Sequence, residues 1–314
     1  MQEQTDVLDP RVAEWLQANP RPANATEELT PELLELGRGS VGVPSTREVG
    51  PVREESVDGI PIRIYECTDQ PTGIVVYFHG GAWCRGSVGM MDNIARELAY
   101  GSGAVVISAG YRLAPEDPFP AGLDDCEAVT RWAATNARRF GVEPTRLVVA
   151  GESAGGNLAA AVALRQRDSR EVELAGQVLM YPSVAAGSAP FASRTEFEGI
   201  MLTRGSITAA WKAYAGGRDI DDDPFAAPIV AEDLGDLPPS FVVLGGCDLL
   251  RDEGRAYADR LRAAGVAVDL ECYAGQPHGF LNLMFPAAAE AFADIGEWIR
   301  GAFARAGVQA GEPR

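Results

Sequence analysis

The stretch VVAGESAGGNLAAAVAL, residues 148–164, decides how the rest of the chain is read. It opens as an apolar, β-branched run, closes as an alanine-rich helical pattern, and carries a serine at the junction. Gly151-Glu152-Ser153-Ala154-Gly155 fits the pattern GxSxG in the strand–turn–helix setting that gives the pattern its meaning. A sharp turn there lifts the serine hydroxyl above the end of a sheet. Glycine at 151 and 155 removes side chains that would collide with neighbouring backbone, and the small residues of AGGNLAAAVA let the helix lie close to the sheet. The helix also brings the positive end of its dipole to Ser153. Ser153 is the expected nucleophile.

Strand and helix patterns alternate on both sides of this turn. GIVVYFHG (73–80), AVVISAGY (104–111), GQVLMYP (176–182), SFVVLGG (240–246) and VDLECY (268–273) are short apolar runs of the kind buried in a parallel sheet. Between them, segments such as MDNIARELAYGS, LDDCEAVTRWAATNARRF and DEGRAYADRLRAAG place apolar residues every three or four positions, as amphipathic helices do. Upstream, REVGPVREESV and IPIRIYEC flank the turn signal DG and predict an antiparallel hairpin on one sheet edge. The expected class is α/β, with about eight mostly parallel strands and helices on both faces. Two segments break the alternation. Residues 1–45 hold two short helix patterns, and residues 183–238 form a long Gly-, Pro- and acid-rich insertion with one helix pattern, RGSITAAWKAYAG. A long insertion between strands is usually functional. Together these segments predict a helical cap over a core made of 46–182 and 239–314.

Composition limits the partners. The net charge is −18, and Lys212 is the sole lysine, so nucleic acid and anionic membrane surfaces are disfavoured. The start, MQEQTDVLDP, lacks a basic region followed by an apolar run, and no segment approaches the roughly 18 apolar residues of a membrane span. A cytoplasmic protein is expected. The cysteines, 5 in number, fall at Cys67, Cys84, Cys126, Cys247 and Cys272, unpaired in spacing, and read as reduced thiols. With only 2 histidines, a metal site is not expected, and no cofactor is called for.

A serine hydroxyl at neutral pH needs a general base, and the base needs an orienting partner. His79 ends an apolar strand pattern within HGGAW, whereas His278 lies in the loop YAGQPHGFLNL just after the last strand, at the sheet end where Ser153 sits. His278 is the preferred base, and His79 is expected to anchor its loop by a hydrogen bond. The carboxylate should follow the preceding strand. Asp248 does so directly, while Asp252 and Glu253 read as the first turn of the next helix, where acids suit the dipole. The order Ser153, Asp248, His278 is that of α/β-hydrolases.

Five motifs in order extend this reading: HGGAW (79–83), YRLAPEDPFPA (111–121), GESAGGN (151–157), DLLRDEG (248–254) and HGF (278–280). Together they resemble the bacterial hormone-sensitive lipase family (family IV) of esterases within the α/β-hydrolase fold, over about residues 72–285. The resemblance implies a serine carboxylesterase acting on small, short- to medium-chain esters through an acyl-enzyme. Backbone N–H groups of Gly80, Gly81 and Ala154 would form the oxyanion hole. A pocket lined by Trp83, Phe191, Met201, Leu202, Trp211, Phe280 and Leu281 would hold the substrate, and a homodimer through an edge strand or terminal helix would be possible. The chain departs from the family pattern at Ala82, where a third loop glycine is usual, at Glu152 in place of Asp, and at Gly110. The Ala82-Trp83 pair is similar to the HGG-x-W loop of arylformamidases, which makes an amidase or formamidase the alternative activity.

Overall fold

In the computed structural model the described residues are 7–19, 29–39, 42–66 and 68–309; Cys67 and parts of the 1–45 segment lie outside them. The strands are β1 (Val52–Val57), β2 (Ile60–Tyr65), β3 (Ile74–Phe78), β4 (Val105–Ala109), β5 (Leu147–Glu152), β6 (Gly176–Met180), β7 (Ser240–Gly245) and β8 (Val268–Tyr273). They form an 8-stranded sheet in the order β1-β2-β4-β3-β5-β6-β7-β8. The β1–β2 hairpin turns at Asp58 and Gly59, both with positive φ (51° and 88°), which matches the right-handed twist of the strands it joins. β2 runs antiparallel to β4, and every pairing from β4 onward is parallel.

The inner strands are buried on both faces, so successive residues feed opposite layers. Val76, Val149, Leu179 and Val242 pack with helices α4 (Ala121–Asn136), α5 (Ala154–Ser169) and α8 (Arg251–Ala263). Val75, Val148, Val178 and Val243 pack on the other face with α3 (Asp92–Ser102) and α9 (Ala288–Gln309). The other α-helices among the described residues are α1 (Pro10–Ala18), α2 (Pro31–Arg38), α6 (Ser193–Glu196) and α7 (Arg204–Ala215). Asp9 and Thr30 cap α1 and α2 with side-chain oxygens, and Thr203 and Ser206 close a reciprocal capping box on α7. Helix α1 sends Val12 into the layer of α3 and α9. Leu34 of α2 instead clusters with Cys84 and Ala114, against Ala213 of α7. Among the described residues no helix is long and apolar enough to cross a membrane.

The insertion is tied to the core by one buried ion pair. Arg194 of α6 donates from Nε to Glu253 of α8 at 3.0 Å, and its Nη1 donates to the carbonyls of Ala186 and Gly187. Glu253 also accepts from the Val184 N–H at 3.0 Å. Burial pushes the Glu253 carboxyl up to about 7 in spite of the guanidinium beside it. Breaking such a pair from one side strands the other charge in the interior. Arg194→Ala is therefore expected to cost about 3–5 kcal/mol of stability, read as a lowered urea midpoint.

Candidate active site

Ser153 sits between β5 and α5 with φ 57° and ψ −119°, a backbone conformation that costs roughly 1–3 kcal/mol for a residue with a side chain. Two glycines make it possible. A Cβ on Gly155 would lie 2.0 Å from the Phe78 carbonyl oxygen at the end of β3, and one on Gly151 would lie 2.0 Å from the Gly155 carbonyl oxygen. The Ser153 N–H donates to the Met180 carbonyl at 2.9 Å, and its carbonyl accepts from Ser183, so the turn is bonded to the strand beside it.

The three residues expected to act together meet. His278 Nε2 is 2.9 Å from Ser153 Oγ, and His278 Nδ1 is 2.8 Å from Asp248 Oδ2. Asp248 is completely buried, and its Oδ1 accepts from the Leu250 N–H at 2.9 Å. With Nδ1–H directed at Asp248, Nε2 is free to accept the serine proton. Asp252 and Glu253 serve elsewhere: Asp252 accepts from the Ser193 N–H at 2.9 Å, and Glu253 holds Arg194. Burial pulls the His278 ring down, but the carboxylates of Asp248, Glu152 and Glu253 outweigh it, and the ring ends above its usual 6.5.

His79 has a different environment. Its Nδ1 lies 2.8 Å from the Gly80 carbonyl, its ring stacks on Tyr111 at 4.4 Å, and burial lowers it to about 4, so it is neutral. The YRLAPE segment supports the same loop. The Tyr111 hydroxyl donates to the His79 carbonyl at 2.7 Å, and the Ala114 N–H donates to the Trp83 carbonyl at 2.9 Å. Arg38 of α2 adds a third tie, from Nε to the Cys84 carbonyl at 2.9 Å.

The structure corrects the expectation for Gly80. Its N–H donates to Glu152 Oε1 at 2.5 Å and is thereby occupied. Glu152 is buried on the α3/α9 side of the sheet beside Tyr77, and burial raises its carboxyl to about 7 even though the Gly80 N–H pulls it back. Gly81, with φ 119°, and Ala82, with φ 57°, carry the chain through the turn that follows. No described residue accepts from the N–H groups of Gly81, Ala82 or Ala154. Trp83 also has φ 57°, so two consecutive residues with side chains occupy the left-handed region, at roughly 1–2 kcal/mol each.

The seven residues expected to line a pocket separate into groups. Trp83 and Trp211 meet edge to face at 5.7 Å, with Tyr214 stacked on Trp83 at 4.5 Å. Leu202 packs with Phe197, Ile207 and the residues flanking Asp248, namely Cys247 and Leu249, and Met201 just before it is buried. Phe191 lines a separate cavity of about 1190 Å³ between α7 and residues 187–198. Phe280 and Leu281 are not pocket residues. After His278 the chain turns at Gly279 (φ 75°), and both side chains enter the core of the α3/α9 layer, fully buried with Tyr181 and Tyr273. The sequence reading missed Asn157 of α5, which receives Trp83 Nε1 at 3.4 Å and donates to the Ala226 carbonyl at 2.7 Å. A polar residue on an otherwise apolar helix face was the available signal.

A serine on a strained strand–helix turn, aligned with a histidine and a buried aspartate above a largely parallel sheet, defines an α/β-hydrolase. The sequence profile of the α/β-hydrolase fold family matches residues 75–282. The chain belongs to that family, in its bacterial hormone-sensitive lipase branch. It is 40% identical over 244 residues to the carboxylesterase NlhH of Mycobacterium tuberculosis, covering 76% of each chain. It is 39% identical to an arylesterase of Saccharolobus solfataricus, covering 71% of this chain and 73% of that one. The solved hyperthermophilic esterase of the archaeon Pyrobaculum calidifontis superposes with a TM-score of 0.85 at 33% identity, covering 94% of this chain and 98% of that one.

Three outcomes follow from this geometry. Because His278 must be neutral to accept a proton, kcat/KM is expected to fall as pH drops through a midpoint above 6.5. In Asp248→Asn that midpoint should move down and activity should drop, both read from a pH–rate profile. His278→Ala should lose activity by roughly 10⁴-fold or more, while His79→Ala, which removes only a tie on the loop, should lose far less. Steady-state rates on one ester compare the two.

Proposed function

We infer that the protein is a carboxylesterase that passes the acyl group of an ester to Ser153 and then to water. The observation that carries the reading is the continuous relay from Ser153 Oγ through His278 to the buried Asp248, at 2.9 and 2.8 Å, on a strained turn. Family membership and the names of the relatives, carboxylesterase and arylesterase, support it.

In the first step His278 Nε2 takes the hydroxyl proton as Ser153 Oγ bonds to the ester carbonyl carbon. The carbonyl oxygen becomes an oxyanion. The donors proposed for it are the N–H groups of Gly81, Ala82 and Ala154, because Gly80 is bound to Glu152. Each such donor typically contributes about 2.7–4 kcal/mol to the transition state. The tetrahedral species collapses, the C–O bond to the alcohol breaks, and the imidazolium returns its proton to the leaving oxygen. Water then attacks the acyl-enzyme with His278 again as base, releasing the acid and regenerating Ser153. Asp248 keeps the ring oriented and balances its transient charge without being protonated.

The helical cap remains part of the proposal: residues 183–238, with the 1–45 segment, would cover the Ser153 end of the sheet. The bulk of Trp83, Trp211 and Tyr214 between the loop and α7 supports short to medium acyl groups. A series of 4-nitrophenyl esters should peak at short to medium chains, and a maximum at long chains would overturn that preference. Ser153→Ala should abolish turnover. A matched anilide should be cleaved much more slowly than the ester, and faster anilide cleavage would make the protein an amidase instead.

A further inference from the structure

Two consecutive residues with side chains, Ala82 and Trp83, hold φ 57° in the loop after β3. Such a conformation persists only where its surroundings over-determine it. Apart from the Asn157 bond to Trp83 Nε1, the ties already described act on the loop backbone, at His79, Gly80, Trp83 and Cys84. The Trp83 side chain is held by a different part of the chain. Tyr214 stacks flat on it, at 4.5 Å and 10°, and Trp211 meets it edge-on at 5.7 Å and 69°. Both rings belong to α7, in the insertion. They are themselves fixed: Trp211 Nε1 donates to Asp221 at 2.6 Å, Phe119 meets Tyr214 at 5.5 Å, and the Phe119 N–H donates to the Tyr214 carbonyl at 2.8 Å. On the far edge Asn157 holds Trp83 Nε1 and passes the tie to Ala226, within the insertion. The buried Tyr214 hydroxyl has no hydrogen-bond partner among the described residues, so the ring acts by stacking.

We propose that Tyr214 and Trp211 are positioning residues for the oxyanion: their rings clamp Trp83 and thereby keep the left-handed Ala82, and its N–H, in the geometry that receives the carbonyl oxygen. The insertion then sets kcat as well as enclosing substrate. A family-typical glycine at 82 would hold this turn without help; alanine needs the clamp. The proposal rests on the carboxylesterase reading and on the oxyanion donors named with it.

The test uses the full chain and a short 4-nitrophenyl ester. Tyr214→Leu removes the stacking ring without losing a hydrogen bond. It is expected to lower kcat by about tenfold, part of what the loss of a whole oxyanion donor costs, with KM changed by less than about twofold. Adding Ala82→Gly to Tyr214→Leu should recover most of that kcat, because glycine takes the left-handed conformation unaided. A merely structural role for Tyr214 would not respond to Ala82→Gly. If Tyr214→Leu does not fold, as judged by circular dichroism, Trp211→Leu with and without Ala82→Gly carries the same comparison. The proposal is overturned if the folded variant keeps wild-type kcat, if the loss lies in KM alone, or if Ala82→Gly recovers nothing. Undiminished hydrolysis by Ser153→Ala would instead overturn the esterase reading, independently of the clamp.

Discussion

The contact between the start of α5 and the end of β3 governs the active site. Gly155 lies so close to the Phe78 carbonyl that no side chain fits between them, and this approach forces the chain to reverse within a single residue. That residue is Ser153, and its left-handed conformation is held because the strand before it and the helix after it are both locked in the core. Raised in this way, the hydroxyl sits where loops from β7 and β8 can deliver Asp248 and His278. The same approach brings the loop after β3 beside the nucleophile, so one tight crossing serves both the attacking oxygen and the groups that receive the oxyanion.

Two buried carboxylates near this crossing each hold a specific partner. Glu152, one residue before the nucleophile, faces the opposite layer and holds the Gly80 N–H. Glu253, five residues after Asp248, holds Arg194 and through it the insertion. Each acid is buried and raised to about 7, and each sits within reach of His278, which their charge helps to keep above its usual range. The site is thus surrounded by carboxylates whose first task is to hold backbone in place and whose second effect is electrostatic. The YRLAPE segment works alongside them by hydrogen bonds from Tyr111 and Ala114 to the loop that carries Trp83.

Much of this was legible in the chain itself. The alternation of apolar strands and amphipathic helices gave the layered α/β architecture, the DG turn gave the edge hairpin, and GESAG between a strand and a helix gave the nucleophile. With 2 histidines, chain order alone separated His278 from His79. The pocket was read less well. Phe280 and Leu281 follow the catalytic histidine by only a few residues and were expected in the pocket, yet a single left-handed glycine sends both side chains into the core of the α3/α9 layer. The family resemblance placed Gly80 among the oxyanion donors, but its N–H is taken by a buried carboxylate 72 residues away.

The sequence by itself determined what is periodic or local: strand and helix patterns, capped helix starts, and a serine whose flanking glycines specify one sharp turn. These depend on steric and hydrogen-bonding rules acting over a few residues. Tertiary structure decided which N–H of the loop is occupied, which aromatic side chains pack on the loop and which enter the core, and which acid anchors the insertion. These depend on distances between segments far apart in the chain, such as Gly80 to Glu152, Trp83 to Asn157 and Arg194 to Glu253, and only packing of the whole chain sets those distances.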